Sequence, residues 1–262
     1  TTIKMQNKKD KIFIKQDNLY NFPYHYLPQK HSDNIFKPFR VHFWLYDYIF
    51  LINFLKKKIF NFKHDKFLDF GCGDGRFINE FQKSTRNKLY GYEISEKASL
   101  FFKAFNPDSI LINNFNELKK YEHFFDAVNF SEVIEHISDE NIRENIEIIY
   151  KIMKKDAILT ITAPSDNHAV TEKHYRHYNL NNLLKNFDEN KFEVIEKKFL
   201  FKSSIFKTII RKIIFNRFFI INSNLVFKIY FYLNNFFFIS NEKNCDTIFL
   251  LLKKKKSNKR KV

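Results

Sequence analysis

The sequence predicts an α/β fold: one doubly wound, mostly parallel seven-stranded sheet with helices on both faces and a helical insertion before the last strand. Three observations predict it. Strand-like and helix-like segments alternate from Lys66 to Thr162 with short connections. All four glycines of the 262-residue chain fall between positions 71 and 91, and three of them share one strand-to-helix turn. Beyond position 200 the alternation stops, and a long basic and apolar stretch precedes one last strand.

The elements follow in order. Residues 1–40 read as an irregular cap, with Pro23 and Pro28 among polar and aromatic residues. Val41 to Phe60 has apolar positions near helical spacing (Trp44, Leu45, Leu51, Leu55). Lys66 to Phe70 is a short strand, and Arg76 to Ser84 a helix after the glycines. Lys88 to Glu93 is the next strand, followed by a helix over Glu96 to Phe105 that Pro107 stops. Ser109 to Ile112 and Phe125 to Phe130 read as strands, Asn141 to Lys154 as a helix, and Ala157 to Thr162 as a β-branched strand ended by Pro164. Leu180 to Phe187 is a helix, and Phe192 to Phe199 and Thr247 to Leu252 are the last two strands. This divides the chain into a cap (1–40), a core (41–200), an insertion (201–241) and a final strand with a basic tail (242–262).

Charge is placed unevenly along this plan. The net charge is +16, yet Lys197 to Val262 carries 16 Lys and Arg against two acids, a balance of +14. The rest holds 29 basic and 27 acidic residues. An anionic partner is therefore expected at the C-terminal quarter. There Ile205, Phe206, Ile209, Ile210, Ile213 and Ile214 fall on one helical face, with Lys207, Thr208, Arg211 and Lys212 on the other. That pattern fits a helix lying in an anionic membrane interface, and equally one packed on the catalytic domain or a partner subunit. No run reaches the roughly 20 apolar residues of a membrane span, and the first fifteen residues lack a signal-peptide apolar region. Cys72 and Cys245 form neither a disulfide framework nor a metal pattern. The expectation is a cytoplasmic protein, with the inner membrane face as its one peripheral site.

Glycine reaches positive φ and lets a backbone approach a ligand closely. The run Asp69-Phe70-Gly71-Cys72-Gly73-Asp74-Gly75 ends a strand and opens a helix, so its free N–H groups face a ligand. Glu93 ends the second strand within Gly91-Tyr92-Glu93-Ile94-Ser95, where an acid can take both hydroxyls of a ribose. With Phe125 to His136 and Met153 to Pro164, these segments resemble class I S-adenosylmethionine-dependent methyltransferases over about residues 40–200. The resemblance implies a Rossmann-like core that binds S-adenosyl-L-methionine. It places Asp69, Gly71 and Gly73 beside the methionine part, Glu93 and Ile94 at the ribose, Asn114 and Phe115 near the adenine, and Phe130 and Ser131 on the far side. Met153 to Ala157 departs from the family pattern by lacking a Gly-Gly turn.

Methyl transfer from a sulfonium is an in-line displacement that requires alignment and often a proton acceptor. Glu132-x-x-Glu135-His136 follows the fourth strand, and His168, His174 and His177 come later. Three readings stand open. His136 acts as a general base; or Glu132, Glu135, His136 and His174 or His177 bind Mg²⁺ or Mn²⁺ that polarises the acceptor; or the cluster closes a loop. The metal pattern resembles small-RNA 2′-O-methyltransferases and quinone-biosynthesis O-methyltransferases. Arg176 is placed to pair with a carboxylate or phosphate on the acceptor. The functional expectation is O-methylation of a small or glycan-type hydroxyl, phosphorylated or lipid-linked acceptors included, with His136, Glu135 and Arg176 as catalytic residues. RNA 2′-O-methylation is the rival, and a non-catalytic cofactor-binding module that docks at a membrane is the third reading.

Overall fold

The computed structural model describes residues 11–23, 25–26, 29–30, 39–40, 44–62, 65–202, 209, 213, 224–236 and 240–255. Seven strands form the main sheet: β1 Lys66–Phe70, β2 Lys88–Tyr92, β3 Ile110–Ile112, β4 Phe125–Ser131, β5 Met153–Pro164, β6 Phe192–Lys202 and β7 Cys245–Lys254. The helices are α1 Trp44–Phe60, α2 Arg76–Gln82, α3 Glu96–Phe105, α4 Phe115–Leu118, α5 Asp139–Ile152, α6 Leu180–Leu184 and α7 Asn224–Phe236. The strand order is β3-β2-β1-β4-β5-β7-β6, with only β7 antiparallel to its neighbours. The Rossmann-like, doubly wound expectation is met, including a helix in the insertion before the last strand.

Winding reverses between β1 and β4. From β1 the chain moves outward through β2 to β3, then crosses to β4 and continues through β5. The crevice for a ligand in such a sheet lies beyond the carboxyl ends of the strands at that reversal. Alternation along the strands supplies a core to each face. Leu68, Tyr90, Val128 and Leu159 pack with Ile142, Ile146 and Ile149 of α5. Phe67, Leu89, Ala127 and Ile158 pack with Phe77 and Phe81 of α2 and Leu55 and Ile59 of α1. On that second face Phe81 stacks on Phe67 at 4.5 Å and on Phe60 at 5.0 Å, so bulky rings fill the space between helix and sheet.

Two expectations change, and a third lies mostly outside the described residues. The helix placed over Asn141 to Lys154 ends at Ile152, because Met153 already pairs with Phe125 and begins β5. The irregular cap contains a helical stretch over residues 11–21, whose Ile12 and Tyr20 are buried. It escapes a sequence reading because its apolar side is completed by the core and not by its own periodicity. The amphipathic face Ile205 to Ile214 lies outside the described residues except for Ile209 and Ile213, and the tail from Lys256 lies outside them entirely. No helix among the described residues is long and apolar enough to cross a membrane.

Gly91 illustrates how tightly the second face is filled. A Cβ there would sit 2.5 Å from Phe102 Cε2 and 2.7 Å from Cys72 Sγ, and Phe102 is fully buried. Gly91→Ala is expected to destabilise the fold by about 2 kcal/mol through overpacking. Urea titration measures this as a lowered midpoint at constant slope.

Candidate active site

One cavity of about 780 Å³ opens at the winding reversal. Its floor is the glycine turn, which follows from β1 stopping at Phe70 and α2 starting at Arg76. Gly73 has φ +55°, and the Tyr20 hydroxyl lies 2.5 Å from where a Cβ would be. Gly75 caps α2 in the left-handed region, at φ +79°, a geometry that excludes most side chains.

Glu93 closes the next strand end. Its two carboxylate oxygens accept from the Gly73 N–H at 2.9 Å and the Ser95 N–H at 2.8 Å. Burial raises its pKa, while these backbone donors oppose the shift. The acid is thereby pinned to the glycine turn at the cavity edge. Asp69 is buried beside it and lifted to about 7, chiefly by desolvation. A chain of hydrogen bonds reaches it across the sheet: the Thr160 hydroxyl donates to Asn129 Oδ1 at 2.8 Å, and Asn129 Nδ2 donates to Asp69 at 2.7 Å.

The N-terminal segment forms one wall of the cavity. Buried Asp74 accepts from His25 Nδ1 at 2.8 Å and from the His25 N–H at 3.3 Å. Asp17 accepts from the Ser95 hydroxyl at 2.6 Å and pairs with Lys97 at 2.9 Å. Lys15 pairs with Glu172 in the loop opposite. Asp17, Tyr20, His25, Asp74, Asn129 and Thr160 are site residues that the sequence reading missed. Asp74 carried the one available signal, a carboxylate inside a glycine turn.

The second half of the site is the turn after β4. The Glu132 N–H donates to Thr162 O at 2.9 Å, and Glu132 takes a positive φ of 55° that swings the chain off the sheet. A 3₁₀ turn over Ile134–His136 follows. Glu135 is fully buried, and among the described residues neither of its carboxylate oxygens has a hydrogen-bond partner; the same holds for Glu132 Oε1. Burial first, and the neighbouring Glu132 second, push the Glu135 carboxyl well above its ordinary range.

Hydrogen bonds to carbonyls assign the histidine tautomers here. His136 Nδ1 lies 2.9 Å from Lys173 O, so Nδ1 carries the proton and Nε2 is bare, 3.8 Å from Glu135 Oε1. His177 Nδ1 donates to His168 O at 2.9 Å, which leaves its Nε2 to accept from His174 Nδ1 at 2.8 Å. The bare nitrogen of His174 is then Nε2. The rings of His136 and His174 meet edge to face at 4.6 Å. Burial drives both histidines towards the neutral form, His136 down to about 3. Glu135, His136 and His174 bring one ligand atom each within 4.8 Å of one another. A buried, unpartnered carboxylate beside two neutral imidazoles is a donor set that fits a divalent cation.

Of the residues singled out in the sequence, Asp69, Gly71, Gly73, Glu93, Ile94, Phe115, Ser131, Glu132, Glu135, His136 and His174 line the cavity. Four are placed elsewhere. Phe130 is fully buried, packed edge to face on Phe70 at 5.4 Å, because its strand position points into the α5 core. Asn114 caps α4, its side chain accepting the Asn116 N–H at 2.8 Å. Arg176 donates to Ile137 O at 2.7 Å and Ile134 O at 3.3 Å and pairs with Asp139 at 2.8 Å. Its Nη1 is engaged by the ends of the Glu135-His136 turn, and the residue does not line the cavity. His177 has both ring nitrogens engaged, so it orients His174 and lies outside the ligand cluster.

A family model described as a methyltransferase domain matches residues 41–200. No curated protein matches the chain. Among solved structures, a SAM-dependent methyltransferase from Archaeoglobus fulgidus is 16% identical, with 81% of this chain and 99% of that chain covered at a TM-score of 0.54. The N-methyltransferase NodS from Bradyrhizobium japonicum WM9, solved with S-adenosyl-L-homocysteine, is 11% identical, with coverage of 86% and 94% and a TM-score of 0.55. The 1,6-didemethyltoxoflavin-N1-methyltransferase of Burkholderia thailandensis is 10% identical, with coverage of 79% and 77% and a TM-score of 0.51. At these identities the likeness is one of fold.

The clamp between His25 and Asp74 makes a separate prediction. His25→Ala removes the ring donor from a buried carboxylate, which favours opening of the N-terminal wall by about tenfold. Tryptic cleavage at Lys15 is expected to accelerate by that factor, and equal cleavage rates would show that the wall is held by other contacts.

Proposed function

The chain belongs to the methyltransferase-domain family of class I S-adenosylmethionine-dependent enzymes, and from that premise we propose that it methylates a hydroxyl of a small-molecule or glycan-type acceptor, activated by a divalent cation at Glu135, His136 and His174. The observation that supports the acceptor half of this reading is the buried Glu135 carboxylate, without a hydrogen-bond partner among the described residues, within 4.8 Å of a ligand atom from each of His136 and His174. Mg²⁺ or Mn²⁺ in that cluster would lower the pKa of a hydroxyl presented to it.

S-adenosylmethionine supplies a methyl group on a sulfonium. The protein then has two tasks, alignment and acceptance of one proton. For alignment, Glu93 would hold the ribose hydroxyls, the glycine turn would admit the donor backbone-close, and Phe115 and Asp69 would hold its adenine and methionine ends. Glu93 is preorganised for this by the Gly73 and Ser95 N–H groups, which hold its carboxylate at the cavity rim. Across the cavity, Glu135, His136 and His174 fix where the acceptor oxygen sits. Arg176 and the Tyr175 N–H, which donates to Glu135 O at 2.8 Å, keep that turn rigid.

A second reading has His136 as the general base, and its bare Nε2 towards the cavity favours it. A pKa near 3 argues against it, since so weak a base takes up a proton poorly at neutral pH. The two are separated by turnover of radiolabelled donor with a panel of hydroxyl and amine acceptors. Under the cation reading, EDTA lowers hydroxyl methylation by about 100-fold, and Mg²⁺ or Mn²⁺ restores it. Turnover indifferent to EDTA would return the role to His136, and amine-only products would overturn O-methylation.

His177 supplies a second test. His177→Phe removes the acceptor that orients His174, and is expected to lower kcat by about 10- to 100-fold at unchanged donor Kd. His177→Gln, whose amide oxygen can accept from His174 Nδ1, should recover part of the loss.

A further inference from the structure

Helix α7 carries apolar residues on two sides, one buried or half-buried and one exposed. Tyr230 is buried and its hydroxyl donates to Asp47 of α1, with Val226 and Leu233 half-buried on the same side. Leu225, Lys228, Ile229 and Tyr232, spaced i, i+3, i+4 and i+7, share the outward face. Leu225 is 67% exposed, Ile229 51% and Tyr232 54%. Ile209 and Ile213, four apart and helical, are also exposed.

The chemistry of the segment selects its occupant. Residues 201–241 contain six Lys or Arg and no Asp or Glu, and 24 of the 41 are apolar. A surface that matches them offers hydrocarbon beneath a layer of negative charge. A second copy matches poorly, because self-association would bring together two segments of like charge with no acid in either. We propose that the outer face of α7 docks the protein on an anionic lipid bilayer. Leu225, Ile229 and Tyr232 enter the boundary between headgroups and acyl chains, and Lys228 meets the phosphates. The hydrogen bond from Tyr230 to Asp47 ties the docked helix to α1, whose Asp47, Tyr48, Leu51 and Leu55 line the active cavity. Docking therefore sets that wall of the cavity beside the bilayer. The inference stands independently of the acceptor and of the cation.

Flotation of the full chain with vesicles tests it. Partition onto vesicles with about 30% phosphatidylglycerol should exceed that onto pure phosphatidylcholine by at least about tenfold, and weaken as salt rises. The exposed double substitution Leu225→Ser with Ile229→Ser should lower binding by about tenfold with an unchanged melting temperature, and Lys228→Glu should lower it severalfold. Equal partition onto both vesicles, or undiminished binding by the double variant, overturns the proposal. A lipid-free dimer that the double variant dissolves would also overturn it, by assigning the face to self-association.

Discussion

A buried hydrogen-bond chain runs from Thr160 through Asn129 to Asp69 and crosses β5, β4 and β1 where the sheet changes its winding direction. Both halves of the site hang from the strands it joins. The glycine turn leaves β1 two residues after Asp69, and the Glu132 turn leaves β4 three residues after Asn129. A polar chain inside a sheet is tolerated because the contacts between its members are satisfied; an unpaired member would cost more than the chain contributes. Asp69, raised to about 7, shows how close this arrangement lies to the limit of burying a carboxylate.

The two halves solve opposite electrostatic problems. At Glu93 the backbone provides donors, and a buried acid is stabilised by the Gly73 and Ser95 N–H groups. At Glu135 no hydrogen-bond partner of the carboxylate is found among the described residues: it is buried beside Glu132 and two neutral histidines, while Arg176 Nη1 donates to the carbonyls of Ile134 and Ile137. An acid so placed is either protonated or paired with something that is not protein. Lys173 O and His177 Nε2 accept from Nδ1 of His136 and of His174, which leaves the Nε2 of each ring without a proton.

Closure of the cavity depends on segments remote in sequence. The N-terminal helix is fastened to the glycine turn by His25 and Asp74, to the β2 end by Asp17, and to the opposite loop by Lys15. The insertion contributes from the other side through Tyr230 and Asp47.

Order and kind of the elements, the glycine turn and the acid at Glu93 were legible in the sequence. These rest on local rules: strand and helix periodicity, the φ freedom of glycine in a chain that has almost none, and an acid at a strand end. The Glu132-x-x-Glu135-His136 turn, which lines the cavity, could be singled out from residue type alone. What only the tertiary structure decided was direction and partnership. Phe130 turns into the α5 core because its strand position alternates that way, one residue before Ser131, which faces the cavity. Arg176 is drawn to carbonyls 39 and 42 residues away, and His177 to His174 and His168 O, so neither is left for a ligand. The physical reason is that a polar side chain in a partly buried loop goes to whichever unsatisfied group the fold brings within about 3 Å, and that neighbour is a property of the packed chain and not of its sequence spacing.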